Sequence, residues 1–221
     1  GVIDGMRYTR QGQACTAGSR VYIHEKIYDK VLEGAVEKLS KLKMGNALDE
    51  TSDIGAIISE EQLKRTLYYM DIAKKNSSTK ILHGGNQSKG GEYKDGFFYE
   101  PTLLSGLPVS SPVCQEEVFG PVACAIPFKS FDEVIKSAND TPFGLSAVLW
   151  TKDLSRALQF VDEIEAGFVQ VNQCVAPRAN VSYGGIKMSG LGKEYAFDSM
   201  MNHFTQSKTV LINRGKSNID N

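Results

Sequence analysis

The sequence is poor in the features that mark membranes, nucleic-acid partners or structural metals. No apolar run approaches the roughly 18 residues a spanning helix needs, and no charged-then-apolar stretch at the start looks like a signal peptide. A membrane partner is therefore not expected, and the location expected is cytoplasmic. Charge of one sign is also missing, since 25 basic and 26 acidic side chains leave a net charge of −1. Without a basic field, nucleic acid is a poor default partner. Cysteines are few, at four, and Cys15, Cys114, Cys124 and Cys174 show no C-x-x-C spacing. Zinc is unsupported, and disulfides are not expected without a secretory signal. The three histidines, His24, His83 and His203, form no H-x-x-x-H pair and read as surface or capping residues. No metal is expected.

What remains is an ordinary globular composition, 41% hydrophobic and 23% charged over 221 residues, enough for one sizeable core. Arg20-Val-Tyr-Ile-His24 reads as a strand. Ile27, Tyr28, Val31, Leu32, Ala35, Val36 and Leu39 alternate three and four apart, the period of an amphipathic helix, and Gly45-Asn46 is placed to close it. A second helix fits Glu60 to Lys75, with Leu63, Leu67, Met70 and Ile72 on or near one face. A strand at Thr79 to His83 follows, then a polar loop, then an extended segment from Phe97 to Leu104.

Strand and helix next alternate with little slack: Val122 to Phe128, Phe131 to Ala138, Leu145 to Trp150, Leu154 to Ala166 and Phe168 to Val171. Asp153 stands where an N-cap would. This order implies an α/β fold, a mostly parallel, doubly wound sheet with helices on both faces. A last helix is expected over about Lys193 to His203, and Thr205 to Asn213 reads as a strand with no partner the sequence identifies. An unpaired terminal strand points to assembly or to another part of the chain.

Three segments could carry chemistry. Gln11-Gly-Gln-Ala-Cys15-Thr-Ala-Gly-Ser-Arg-Val21 surrounds a cysteine with small residues, so a ligand carbon could come close to sulfur and backbone amides could face an oxyanion. Composition alone leaves Cys15 open, because a lone cysteine is more often a small buried hydrophobe. Gln115-Glu-Glu-Val-Phe-Gly-Pro-Val122 sets two carboxylates and a ring before a strand, a pattern that suits a ribose and a flat heterocycle but equally a charged loop. Ser182-Tyr-Gly-Gly-Ile-Lys-Met-Ser-Gly-Leu-Gly-Lys-Glu194 is glycine-rich yet matches neither phosphate-binding pattern, so a phosphate loop is rejected.

Taken in order, these stretches resemble the aldehyde dehydrogenase superfamily, with Gly45-Asn46, Pro101-Thr102, Ala138-Asn139-Asp140 and Val171-Asn172 as further matching pieces. The resemblance implies the fold of that family's catalytic domain, NAD or NADP as cofactor, and an aldehyde substrate. It implies that Cys15 is the nucleophile, that Glu117 binds the nicotinamide-side ribose, and that Phe119 lies beside the nicotinamide end. Ala14, Asn180 and Tyr183 would line the substrate channel, Tyr183 standing where relatives usually carry phenylalanine. Lys193 replaces a commoner arginine in a structural position.

Relatives carry their general-base glutamate in an E-L-G-G-K segment some thirty residues before the cysteine, and only fourteen residues precede Cys15. The base, the amino-terminal cofactor domain and an oxyanion-hole asparagine are therefore expected off this chain. The expected division is 1–204, a catalytic domain truncated at its N-terminus, and 205–221, the strand and tail of an oligomerisation sheet in a homo-oligomer. Such a piece should not complete aldehyde oxidation alone. The competing readings are a non-catalytic assembly module of the same fold, or a thiol hydrolase that uses an acyl-cysteine.

Overall fold

A computed structural model describes residues 1–174, 176–213 and 215. At its centre lies a sheet made from β1 (Arg20–His24), β2 (Lys80–His83), β3 (Thr102–Ser105) and β4 (Val122–Phe128), in the order β1-β4-β3-β2. The β1/β4 and β3/β4 pairs are parallel, and β2 closes the far edge antiparallel to β3.

The run Val122-Ala-Cys-Ala-Ile126 is buried throughout, as a strand covered on both faces must be. Side-chain alternation sends its residues to two separate cores. On one face Leu104, Val122, Cys124 and Ile126 pack against Leu63, Tyr69, Met70 and Ala73 of α3 (Glu60–Lys75) and Val113 and Cys114 of α4 (Pro112–Gln115). On the other, Leu103, Ala123 and Ala125 meet Met6 of α1 (Val2–Met6), Tyr8, and Ala35 and Leu39 of α2 (Tyr28–Leu39). Leu103 and Leu104 are almost wholly removed from water, and each such burial stabilises the fold by about 1.5–3 kcal/mol. The doubly covered α/β arrangement expected from the element order is present.

After β4 the chain continues through α5 (Phe131–Asn139), β5 (Phe143–Gly144), β6 (Ser146–Leu149), α6 (Leu154–Glu163), β7 (Phe168–Val171), β8 (Ile186–Lys187) and α7 (Phe197–Phe204). β6 and β7 pair in parallel, and β5 and β8 antiparallel, as two small sheets separate from the central one. Helix starts follow their side chains: Ser59 accepts from the Gln62 amide at 3.2 Å, and Asp153 from the Arg156 amide at 3.1 Å. Ser130 and Glu133 form a reciprocal capping box.

Four expectations change. α2 ends at Leu39, with right-handed Ser40 as its cap, and Gly45 instead donates its backbone amide to the Ile54 carbonyl. The buried face of α3 is Leu63, Thr66, Tyr69, Met70 and Ala73, while Leu67 is exposed, because the pattern turns with the helix rather than with the leucines alone. The last helix starts at Phe197, not Lys193, because Glu194 exchanges both backbone bonds with Tyr183 and Tyr195 is left-handed at φ 67°. Thr205–Asn213 forms no strand; Val210, Leu211 and Ile212 are exposed, since no described segment offers them a ladder partner. Arg214 and residues 216–221, within the 205–221 tail, lie outside the described residues. No helix among the described residues is long and apolar enough to cross a membrane, and no metal-ligating group of three or more residues occurs among them.

Candidate active site

Cys15 sits on an irregular loop between a single helical turn at Tyr8–Arg10 and β1. The loop winds tightly, with amide bonds from Gln13 to Arg10, Ala14 to Gly12 and Ala17 to Ala14, each at 2.9 Å. Gln11 and Gly12 are both left-handed, at φ 56° and 62°. Side chains and backbone then fix the loop to its surroundings. The buried Gln11 amide donates to the Gly55 carbonyl, the Gln13 Oε1 accepts from the Ile58 amide at 3.1 Å, and Gly18 donates to Gly5 at 2.9 Å. The result is an exposed thiol on a small-residue turn, with Ala14 half-buried beside it. Cys114 and Cys124 are buried, and Cys174 is half-buried. Among the described residues the Cys15 amide donates to no other group.

Across the chain, the Tyr183 hydroxyl lies 3.2 Å from the Cys15 sulfur. Tyr183 is held by its paired backbone bonds with Glu194, at 3.0 and 2.7 Å, and by edge-on contacts with the rings of Phe168 and Tyr195. Lys193 serves this same segment, its ammonium donating to the carbonyls of Gly184 at 3.0 Å and Gly185 at 2.9 Å. Burial first, and the neighbouring Cys15 second, hold the Tyr183 phenol well above the ordinary tyrosine range. Asn180 is exposed and left-handed at φ 60°; its amide donates to Tyr195 at 2.8 Å, and its Oδ1 accepts from Phe197 at 3.4 Å. Asn180 and Tyr183 therefore stand on one strip of chain, joined through Tyr195.

The Glu-Glu loop is fixed by one face of α3. Residues 62, 65, 66 and 69 recur at three and four apart, so they line up along the helix. Gln62 donates to the carbonyls of Val118 at 2.9 Å and Phe119 at 2.8 Å, and Arg65 Nε donates to the Glu117 carbonyl at 3.1 Å. The Tyr69 hydroxyl donates to the Glu116 carboxylate at 2.7 Å; burial first, then this bond, push the Tyr69 phenol up to about 12. Glu116 is thus engaged in structure. Glu117 is exposed, and its carboxylate has no partner among the described residues. Phe119 is half-buried and left-handed at φ 54°, so its ring is presented from a turn.

Glycine joins the two loops. A Cβ on Gly12 would overlap the Gly120 carbonyl oxygen, and one on Gly120 would come within 2.5 Å of Thr66 Oγ1. The cysteine loop can therefore lie against the Glu117–Phe119 loop only while Gly12 lacks a side chain, and that second loop can lie on α3 only while Gly120 does. The structure brings Cys15, Ala14 and Tyr183 together and sets Glu117 and Phe119 on the adjoining loop. No carboxylate among the described residues is hydrogen-bonded to Cys15. The sequence reading missed Gln11, Gln62, Arg65 and Tyr69, all of which position the site. Polar residues three and four apart recur on a solvent-facing helix face as readily as on a buried one, so the spacing of Gln62, Arg65 and Tyr69 carries no signal of their partners. His24 caps a turn by accepting from the Lys26 amide at 3.2 Å, as expected for a histidine outside the site.

Comparison with known proteins identifies the family. The model of the aldehyde dehydrogenase family matches residues 2–210. An aldehyde dehydrogenase of Rhodospirillum rubrum is 39% identical over 91% of this chain and 40% of its own length, and aldehyde dehydrogenase B of Escherichia coli is 38% identical over 91% and 39%. Among solved structures, an NAD+ complex of an aldehyde dehydrogenase from Bacillus cereus superposes with a TM-score of 0.90 at 32% identity, covering 97% of this chain and 42% of that one. Betaine aldehyde dehydrogenase from Staphylococcus aureus, also solved with NAD+, gives 0.86 at 33% identity over 90% and 39%. The chain spans about two-fifths of the length of the curated relatives it matches. With the family model covering nearly all of it, the chain belongs to the aldehyde dehydrogenase family.

Proposed function

We propose that this chain is the catalytic portion of an NAD(P)-dependent aldehyde dehydrogenase that oxidises an aldehyde to a carboxylic acid, with Cys15 as nucleophile. One observation carries the reading: an exposed thiol on a tightly held loop lies back to back, through Gly12 and Gly120, with a loop presenting an unengaged carboxylate.

The Cys15 thiolate forms a carbon–sulfur bond to the aldehyde carbon, and the carbonyl pair moves to oxygen. The Cys15 amide, which has no acceptor among the described residues, is available to that oxyanion. Glu117 and Phe119 fit a dinucleotide: a free carboxylate accepts ribose hydroxyls, and a ring held in a turn packs on a flat heterocycle. Glu117 and Phe119 would hold a nicotinamide there, and that group would supply the acceptor for the hydride given up by the cysteine-bound carbon. Water then cleaves the thioester on Cys15, its hydroxyl going to the acyl carbon and its proton to sulfur, so that the acid leaves and the Cys15 thiol is restored. Ala14 leaves room beside the aldehyde carbon, and Asn180 and Tyr183 line the approach to it. The NAD+ complexes of the structurally similar aldehyde dehydrogenases support the cofactor assignment.

The same proposal assigns 1–204 to the catalytic domain and 205–221 to a strand and tail that join an oligomerisation sheet in a cytoplasmic homo-oligomer. It places the general base and the amino-terminal cofactor domain outside this chain. The exposed Val210, Leu211 and Ile212 support a partner that would cover this segment and give it a ladder. The test is NADH formation from an aldehyde. The native polypeptide that carries this chain is expected to form NADH and to lose that activity on Cys15→Ser, while the 221-residue chain alone forms none. Activity surviving Cys15→Ser would overturn the reading.

A further inference from the structure

We propose that the Tyr183 hydroxyl is a hydrogen-bond donor to the Cys15 thiolate, so that the reacting group is the pair and not the cysteine alone. This rests on the reading of Cys15 as nucleophile. The observation behind it is the 3.2 Å separation of Sγ and Oη, between residues 168 apart in sequence. A thiolate has no proton, so the phenol must be the donor. Burial favours the neutral phenol, which keeps its proton through the pH range in which a thiol ionises.

The tyrosine is held for this contact. Its backbone N–H donates to the Glu194 carbonyl and its carbonyl accepts from the Glu194 amide, its ring is braced edge-on by Phe168 and Tyr195, and the carbonyls of Gly184 and Gly185 are held by Lys193. The ionisable groups that act on the phenol are Cys15, Tyr195 and Glu194; the Lys193 ammonium lies on the same segment. Glu194 and Tyr195 only disfavour a charged phenol, and Cys15 alone among these groups is its hydrogen-bond partner. Packing accounts for a ring at this position, but it does not require the hydroxyl to face sulfur.

The expected effect has two opposed parts. A hydrogen bond to an anion in a half-shielded site is worth about a tenfold gain in thiolate fraction. A stabilised thiolate is a weaker nucleophile, with a sensitivity of about 0.4–0.5, which returns about threefold of that gain. The native chain should thus react about threefold faster than Tyr183→Phe where the thiol is mostly protonated, and about threefold slower where it is fully ionised. The two pH profiles must cross.

The test is iodoacetamide alkylation of Cys15, followed by peptide mass spectrometry from about pH 6 to about pH 10, across the range in which thiols ionise. Tyr183→Phe keeps the ring packing. Buried Cys114 and Cys124 report folding, because they stay unlabelled in a folded chain. A second variant, with 3-fluorotyrosine at position 183, keeps the shape and sharpens the donor, so its profile should shift in the opposite direction from that of Tyr183→Phe. Crossing profiles with opposite shifts support the pair. Profiles that coincide, or differ by one constant factor at every pH, overturn it while leaving the nucleophile in place. Cys15 reacting no faster than Cys174 in every chain overturns both.

Discussion

Replacing Gly12 with alanine tests how the site is assembled. Gly12 lies at φ 62°, and a non-glycine residue in that left-handed region costs about 1–2 kcal/mol. The new methyl would also sit 2.8 Å from the Gly120 carbonyl carbon and 2.8 Å from the Met6 methyl, where ordinary contact begins at 3.4 Å. The Gly120 carbonyl oxygen is closer still, so the cysteine loop and the Glu117 loop must part by about 1 Å, at the expense of the Met6 packing beneath. Strain and lost packing together give about 3 kcal/mol. In urea, with a slope of about 3 kcal/mol per molar for a chain of this size, the midpoint should fall by about 1 M. Because a misplacement near 1 Å at reacting groups costs about a hundredfold, aldehyde oxidation by the native polypeptide should fall by a similar factor, even under conditions where the variant is folded. A Gly12→Ala chain with an unchanged urea midpoint and unchanged activity would refute the back-to-back assembly.

Alkaline pH should destabilise the chain through three buried tyrosines. Burial raises the phenols of Tyr8 and Tyr99, and Tyr69 reaches about 12. The unfolded chain begins to lose these protons near pH 10 while the folded chain keeps them. Their stabilising contribution is thus complete below about pH 10 and lost as pH rises towards the folded values. Melting temperature should therefore fall between pH 10 and 12, and a flat profile there would contradict the burial. Arg65→Ala frees the Glu117 carbonyl, a charged-donor bond at an exposed site worth about 1 kcal/mol, and should weaken NAD binding to the native polypeptide by about fivefold while leaving the fold intact. Unchanged affinity in a calorimetric titration would show that the loop does not need this arginine.

Much of the fold is legible in local chemistry. The unbroken apolar run from Val122 to Ile126 marks a strand covered on both faces, and Asp153 caps α6 as its position suggests. Cys15 could be singled out from its small neighbours, but its role came from resemblance, since composition alone favours a buried thiol and the structure exposes it. Gln62, Arg65 and Tyr69 were not legible, because a polar residue on a helix looks solvent-facing until its partner loop, some fifty residues on, is placed against it. The Tyr183–Cys15 contact spans still more chain. Gly45 and Thr205–Asn213 misled for a different reason. Glycine marks space as well as helix ends, and a β-prone segment becomes a strand only when a neighbour accepts its hydrogen bonds.

The assignment of Cys15 as nucleophile can be tested without cofactor or further domains. Incubating the chain with an activated ester, such as p-nitrophenyl acetate, and mapping acyl groups by peptide mass spectrometry reads the carbon–sulfur bond directly. The expected result is acylation concentrated on Cys15 and abolished in Cys15→Ser. Equal, slow acylation of Cys15 and Cys174, or acylation unaffected by Cys15→Ser, would contradict it.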